Sequence, residues 1–203
     1  MSRLVLVRHG ETVWHAEHRY AGTTDVLLTP RGREQAEALG RWAKTAGLAA
    51  VWASPLSRAR ETAAAAARAT GLAVRVDERL RELHFGRAEG RTKTELGREL
   101  PAVVAAFLAD PVVNHMPGGE DPAAAADRGV TCLRGLAGVH PEGRVLVVGH
   151  TTLFRLTLCR LLGLPLAEYR RVFPHVRNGA LTEVRLAGDV TGLLQFNTPP
   201  EGA

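Results

Sequence analysis

The chain has 203 residues, of which 45% are hydrophobic, 23% charged and only 5% aromatic, with a formal net charge of +5. That length suits one domain with a real core, and the apolar fraction excludes a disordered protein. The positive charge is almost wholly arginine, since Lys44 and Lys93 are the only lysines, and no basic run exceeds two residues; this disfavours a nucleic-acid track and favours a few clustered arginines around a small anion.

Residues 4–7, Leu-Val-Leu-Val, read as a buried strand that closes on Arg8-His9-Gly10-Glu11-Thr12. A strand delivering Arg and His to its carboxyl end places a cation and an imidazole where open parallel sheets bind ligands. A polar, turn-rich stretch runs to Leu28. Thr29-Pro30 then supplies an N-cap and a first-turn proline, and Ala36, Leu39, Gly40, Ala43 and Ala46 recur at helical spacing until Gly47. Residues 49–53 predict a second strand, leading through Ser54-Pro55-Leu56-Ser57 into a helix that carries Arg58 in its first turn and ends near Thr70. A third strand is expected at 74–76. Residues 92–140 read as helical in two pieces, broken at Asp110-Pro111 and at Met116-Pro117-Gly118-Gly119, and are expected as an insertion beside the sheet. Residues 144–148 form a strand as apolar as the first, ending in Gly149-His150, with a helix over 151–162 behind it. Strands at 181–186 and 193–196 flank Gly188-Asp189 as a hairpin, and 198–203 is expected to fray.

Strands alternating with helices imply an α/β fold in three layers: a mostly parallel central sheet, helices on both faces and the helical insertion near the pocket. No repeat or linker divides the chain, so 1–203 reads as a single domain. No apolar stretch approaches the ~20 residues of a membrane span, and no secretory leader is recognisable. Cys132 and Cys159 both fall in amphipathic helices. They are expected as free thiols in a reducing compartment, the cytoplasm.

In a parallel sheet the strands at 4–7 and 145–148 send His9 and His150 to the same edge, and the strand at 51–53 leads Arg58 there. Helix N-termini add free N–H groups and partial positive charge. Two arginines, two histidines and exposed amides are therefore expected around one anion-sized volume.

Arg8-His9-Gly10-Glu11-Thr12, with Arg19-Tyr20-Ala21-Gly22-Thr23-Thr24-Asp25 and Leu28-Thr29-Pro30-Arg31-Gly32 behind it, resembles the opening of the histidine phosphatase (phosphoglycerate mutase-like) superfamily. Ser54-Pro55-Leu56-Ser57-Arg58-Ala59-Arg60-Glu61-Thr62 is similar to that family's second block. Arg81-Glu82-Leu83 with Phe85-Gly86 and Glu89-Gly90 resembles its acid-bearing block, and Val147-Val148-Gly149-His150 its last. The blocks stand in the family's order between residues 3 and 160.

The resemblance implies a phosphatase that hydrolyses a small phosphomonoester through a phosphohistidine on His9. Arg8 and Arg58 would clamp the phosphoryl oxygens. His150 would donate to the transition state and Glu82 would protonate the leaving group. His15 stands where the family commonly has Asn, and Thr151 replaces a Gly commonly found after the last His; both are assigned to substrate binding. No cofactor and no metal are expected, because His15 and His18 are three apart but lack a third ligand. Broad-specificity and α-ribazole phosphate phosphatases are the branch resembled, since the segment between Glu82 and His150 is short. A cofactor-dependent phosphoglycerate mutase is the alternative, and an inactive binding protein on the same scaffold is a further one. The expected partner is a small phosphate ester, with no nucleic acid and no membrane; a homodimer is left open. Phe85, Arg87, Phe107, Met116, Phe173 and His175 are expected to set substrate fit, and His84, His115 and His175 to lie near the pocket entrance. Glu120 is expected to cap the following helix, and Glu11 is available to orient Arg58.

Overall fold

The computed structural model describes residues 1–200. In chain order the elements are β1 (Ser2–Arg8), α1 (Pro30–Ala43), β2 (Leu48–Ala53), α2 (Ser57–Thr70), β3 (Val74–Val76), α3 (Lys93–Glu99), α4 (Pro101–Ala109) and α5 (Pro122–Val139). They continue with β4 (Arg144–Gly149), α6 (Thr151–Leu161), α7 (Tyr169–Val172), β5 (Leu181–Ala187) and β6 (Val190–Thr198). The six strands form one sheet in the order β3-β2-β4-β1-β5-β6. β1, β2, β3 and β4 are parallel, whereas β5 runs antiparallel to β1 and β6 to β5. The expected α/β sheet, mostly parallel, is present, and the late hairpin forms its antiparallel end.

Period-two alternation along the central strands builds the three layers. Val5 and Val7 of β1, with Leu146 and Val148 of β4, face α1 and α2 through Leu39, Ala43, Ala59, Ala63 and Ala66. Leu4, Leu6, Val145 and Val147 face the other way, onto Cys132, Leu133 and Leu136 of α5 and Leu153 and Leu156 of α6. The connection leaving β1 thus crosses one face and the connection leaving β4 crosses the other. Their neighbouring carboxyl ends make a topological switch point, where such sheets open a crevice.

Residues 92–140 form three helices rather than two. Pro101 has no N–H and steers Leu100 away from helical angles (φ −134°, ψ 55°), so the chain restarts there. α3 opens with a reciprocal capping box between Thr92 and Glu95. α5 is the crossover helix between β3 and β4 and covers the sheet itself, while α3 and α4 extend the same apolar cluster through Leu96, Val104 and Phe107. Fraying does not begin at 198, because Thr198 pairs with Leu181 and Pro200 is buried; residues 201–203 lie outside the described residues. No helix among the described residues is long and apolar enough to cross a membrane.

Candidate active site

His9 follows β1 directly. Its N–H continues the ladder to Gly149 O (3.0 Å), and its carbonyl accepts from Asn178 Nδ2 (2.7 Å). The chain then passes tightly over the start of α1: a Cβ on Gly10 would meet Gly32 O at 2.3 Å, and one on Gly32 would meet Glu11 O at 2.1 Å. Only glycine allows that approach. The bend brings Gly10 O within 2.7 Å of His9 Nδ1. A carbonyl only accepts, so the proton is assigned to Nδ1 and the lone pair to Nε2. Arg58 Nε donates to that Nε2 at 3.2 Å.

Arg58 enters from the first turn of α2 and is 1% exposed. Its Nη1 donates to Thr24 O (2.8 Å) and its Nη2 to Gly22 O (2.7 Å). Those carbonyls are held in turn by Glu89, whose carboxylate accepts from the backbone N–H and hydroxyl of both Thr23 and Thr24. Asp25 accepts from Ser57 N and Oγ at the start of α2. Glu11 takes no part; it accepts from Thr29 Oγ1, the residue that caps α1.

Arg8 anchors Nη1 on Val176 O (2.7 Å), and its buried Nε has no partner. Burial, ahead of repulsion from Arg155 and Arg58, pulls its pKa down to about 10, although Glu82 opposes the fall. Arg8 Nη2 approaches His15 Nε2 at 2.7 Å, and Thr12 N approaches Nδ1 at 3.0 Å. A neutral ring accepts from only one such donor and a protonated ring from neither. Burial, then Arg8, pushes the His15 pKa down to about 4. His15 therefore touches the guanidinium of Arg8 as a neutral neighbour.

His150 is fully buried just before α6, its ring centroid 5.1 Å from that of His9. Its Nε2 lies 2.7 Å from Ser54 Oγ, which also accepts from Leu56 N at 3.3 Å. Nε2 is the one acceptor beside the Ser54 hydroxyl, so its hydrogen is assigned to Nε2 and the ring proton to Nδ1, which is buried without a partner. That leaves a buried ring nitrogen without a hydrogen-bond partner beside His9. Ser54→Ala releases the tautomer and is expected to lower kcat about 10- to 100-fold with KM nearly unchanged. Steady-state kinetics check this, and an unaltered kcat would show that Ser54 does not orient the ring.

Glu82 is 5% exposed and does not pair with Arg79 or Arg81. It caps α6 from 70 residues away: Oε1 accepts from Leu83 N and Leu153 N (both 2.8 Å), and Oε2 from Thr152 N (2.9 Å). The amides of α6 expected to face the phosphate are in part committed to Glu82, because a buried helix start needs an acceptor even when no ligand is bound. Arg128 fixes this segment through Arg79 O, Arg81 O and Glu82 O, and Glu120 grips Arg128 from both carboxylate oxygens. Glu120 is thus an ion-pair partner, and Asp121 caps α5 in its place.

Arg8, His9, His15, Arg58, Glu82 and Thr151 line one pocket of about 320 Å³, the lower end of the range for small-ligand sites. His150 is fully buried beside His9 and adds no exposed surface to the wall. Of the residues expected to set substrate fit, Phe85 lines the pocket. Phe107, Met116 and Phe173 are core residues with about 2–3% exposure, and Arg87 and His175 do not line it. His18 does, whereas His84 and His115 do not. Arg155, Tyr169 and Arg170 complete the wall, the last two on the short helix α7 that the sequence pattern does not announce. Arg155 was within reach of pattern reading, since it lies one helical turn after Thr151 on the same face.

Burial, then the charges of Arg58 and its neighbours, holds His9 and His150 far below the ordinary histidine pKa. Both rings, with His15, stay neutral in the fold. In the unfolded chain they take up protons below about pH 6.5, so there the unfolded state binds more protons and stability falls with acid. Urea unfolding midpoints should drop from about pH 7.5 to about pH 5, with little change above about pH 7. Equal midpoints would mean that the rings charge within the fold.

Fold and site define a class, an α/β protein with an arginine-lined pocket at its switch point and a neutral imidazole flanked by two guanidinium groups. The chain belongs to the Histidine phosphatase superfamily (branch 1), whose sequence model matches residues 4–199. It is 34% identical over 184 residues to a protein of Erwinia tasmaniensis named probable phosphoglycerate mutase GpmB, covering 91% of this chain and 85% of that one. It is also similar to the solved structure of mycobacterial glucosyl-3-phosphoglycerate phosphatase with VO3 (TM-score 0.88, 30% identity, 97% of this chain and 99% of that one). The α-ribazole phosphatase of Shigella flexneri is comparably similar (TM-score 0.88, 27% identity, 99% and 98%).

Proposed function

We propose that this protein hydrolyses small phosphomonoesters through a phosphohistidine on Nε2 of His9. The observation that carries the reading is the commitment of His9 Nδ1 to Gly10 O, which leaves Nε2 with its lone pair in a site lined by cations. Arg8 and Arg58 neutralise the equatorial oxygens, as phosphoryl transfer requires. His150 donates from Nδ1, and His15 acts through Arg8. Attack by His9 forms the N–P bond and breaks the ester O–P bond, and the leaving alkoxide takes a proton from Glu82. Oε2 is the oxygen with capacity to spare for that exchange, because it accepts one amide where Oε1 accepts two. Water then gives its proton to Glu82 and attacks phosphorus, the N–P bond breaks with its electron pair returning to Nε2 of His9, and phosphate is released. Thr151 lines the entry of the phosphoryl group.

The likeness to two solved phosphatases supports hydrolysis. The relatives named probable phosphoglycerate mutase favour a second reading, return of the phosphoryl group to another hydroxyl. Rapid chemical quench with a radiolabelled ester should trap an acid-labile, base-stable label on His9. Hydrolysis without such a label would overturn the covalent route, and a bisphosphoglycerate-stimulated mutase rate above the hydrolysis rate would replace it with the mutase. Cys132 and Cys159 are buried free thiols, which suits a reducing compartment, and we place the enzyme in the cytoplasm.

A further inference from the structure

The pocket wall carries five arginines, Arg8, Arg19, Arg58, Arg155 and Arg170, against the single carboxylate of Glu82. Arg19 is balanced by Glu17 and Glu95. Arg8 and Arg58 form the phosphoryl clamp, and Glu82 is engaged by three amides. Two cations are left over. Arg155 Nε is buried with no hydrogen-bond partner, while Arg170 donates Nε to Tyr169 OH (3.0 Å) and Nη1 to Phe107 O (3.4 Å). Among the described residues no carboxylate pairs with either.

Aromatic rings hold these two cations in place. Arg155 lies 5.2 Å and Arg170 5.5 Å from the centroid of the same Tyr169 ring, and Arg170 lies 4.7 Å from that of Phe107. One arginine over one ring is an ordinary packing contact. Two over one ring, in a half-buried pocket and without a counter-charge, repel each other and cost stability until an anion arrives. Arg8 and Arg155 are also close enough to repel, so this pair adjoins the phosphoryl clamp.

We propose that Arg155 and Arg170 form a second anion subsite, which selects phosphate esters bearing a further anionic group, a carboxylate or a second phosphate, on the same molecule. The assignment rests on the phosphoryl group entering at His9. Once the ester phosphate is seated on Arg8 and Arg58, the second anion meets the free donors of Arg155 and the remaining donors of Arg170. Tyr20 and Phe85, their ring centroids 5.2 Å apart, supply apolar wall in the same pocket for the linking carbons.

The test compares 3-phosphoglycerate and propane-1,3-diol bisphosphate with glycerol 3-phosphate, which lacks the second anion. Wild-type kcat/KM for at least one anionic ester should exceed that for glycerol 3-phosphate by about tenfold or more, the effect of one charge-assisted contact. Whichever ester is preferred tells carboxylate from phosphate. In Arg155→Met and Arg170→Met that ratio should collapse towards one, chiefly through KM. No wild-type preference, or equal losses on all three esters, overturns the subsite. The wild-type comparison needs no variant and so survives a folding defect. If no ester is hydrolysed, the proposed function fails, and calorimetric binding of the same three esters still decides the subsite. Tighter binding of an anionic ester supports it and equal binding removes it.

Discussion

His9→Ala should lower turnover of every phosphate ester by on the order of 10⁴- to 10⁶-fold, as loss of a covalent nucleophile does elsewhere, and should abolish the trapped phosphoenzyme. The size follows from what nothing else in the pocket can supply. His150 is buried beside His9 with Nε2 facing Ser54, His15 is engaged by Arg8 and Thr12, and His18, though on the wall, bonds to none of Arg8, His9 and Arg58. The arginines have no lone pair to offer. The variant should fold, because His9 is held by its backbone N–H and carbonyl, both of which alanine keeps. Its unfolding midpoint provides the control. Turnover within tenfold of wild type would place the nucleophile elsewhere.

Glu82→Gln is expected to slow hydrolysis of esters with poor leaving groups, such as glycerol 3-phosphate, by about 10²- to 10⁴-fold, the usual worth of a positioned general acid. p-Nitrophenyl phosphate, whose leaving group departs without a proton, should suffer far less. The structure adds a complication that the comparison resolves. All three partners of the carboxylate are N–H donors, so the amide of Gln can keep its oxygen on Leu83 N and Leu153 N but turns NH₂ against Thr152 N. That leaves a buried donor unpaired at the start of α6, at a cost of about 1–3 kcal/mol. Lost stability would depress both substrates together, whereas a lost proton splits them. Equal depression would make Glu82 a cap of α6 and nothing more.

Much of the site could be read from residue pattern because its parts sit at strand ends. An apolar run with period two fixes a buried strand and the edge its terminus reaches, and that alone places His9 and His150 side by side. Arg58 follows from the helix that opens at Ser57, two residues after Pro55. The boundaries of β3 match their expected limits, whereas the 92–140 segment has one break more than its helical spacing predicts, because Pro101 turns Leu100 out of helical angles. The contacts of Glu89 and Arg128 are not legible in the sequence for a different reason. Each works by gripping backbone atoms of a segment distant in sequence, Thr23 and Thr24 in one case and residues 79–82 in the other, and no periodicity records such a contact.

Local order in the chain was enough to determine the layers, the strand directions of the parallel core and the meeting of Arg8, His9, Arg58 and His150 at one sheet edge. These depend on side-chain periodicity and on where a strand stops, both local properties. Tertiary structure alone decided that Glu82 closes the start of α6, that His15 leans on Arg8, and that Arg155 and Arg170 share the Tyr169 ring. Those outcomes depend on which unpaired amide, guanidinium or ring comes within hydrogen-bond distance after the chain has crossed the sheet. Burial then makes each meeting count, because a polar group removed from water must find its partner inside the protein or wait for one to bind.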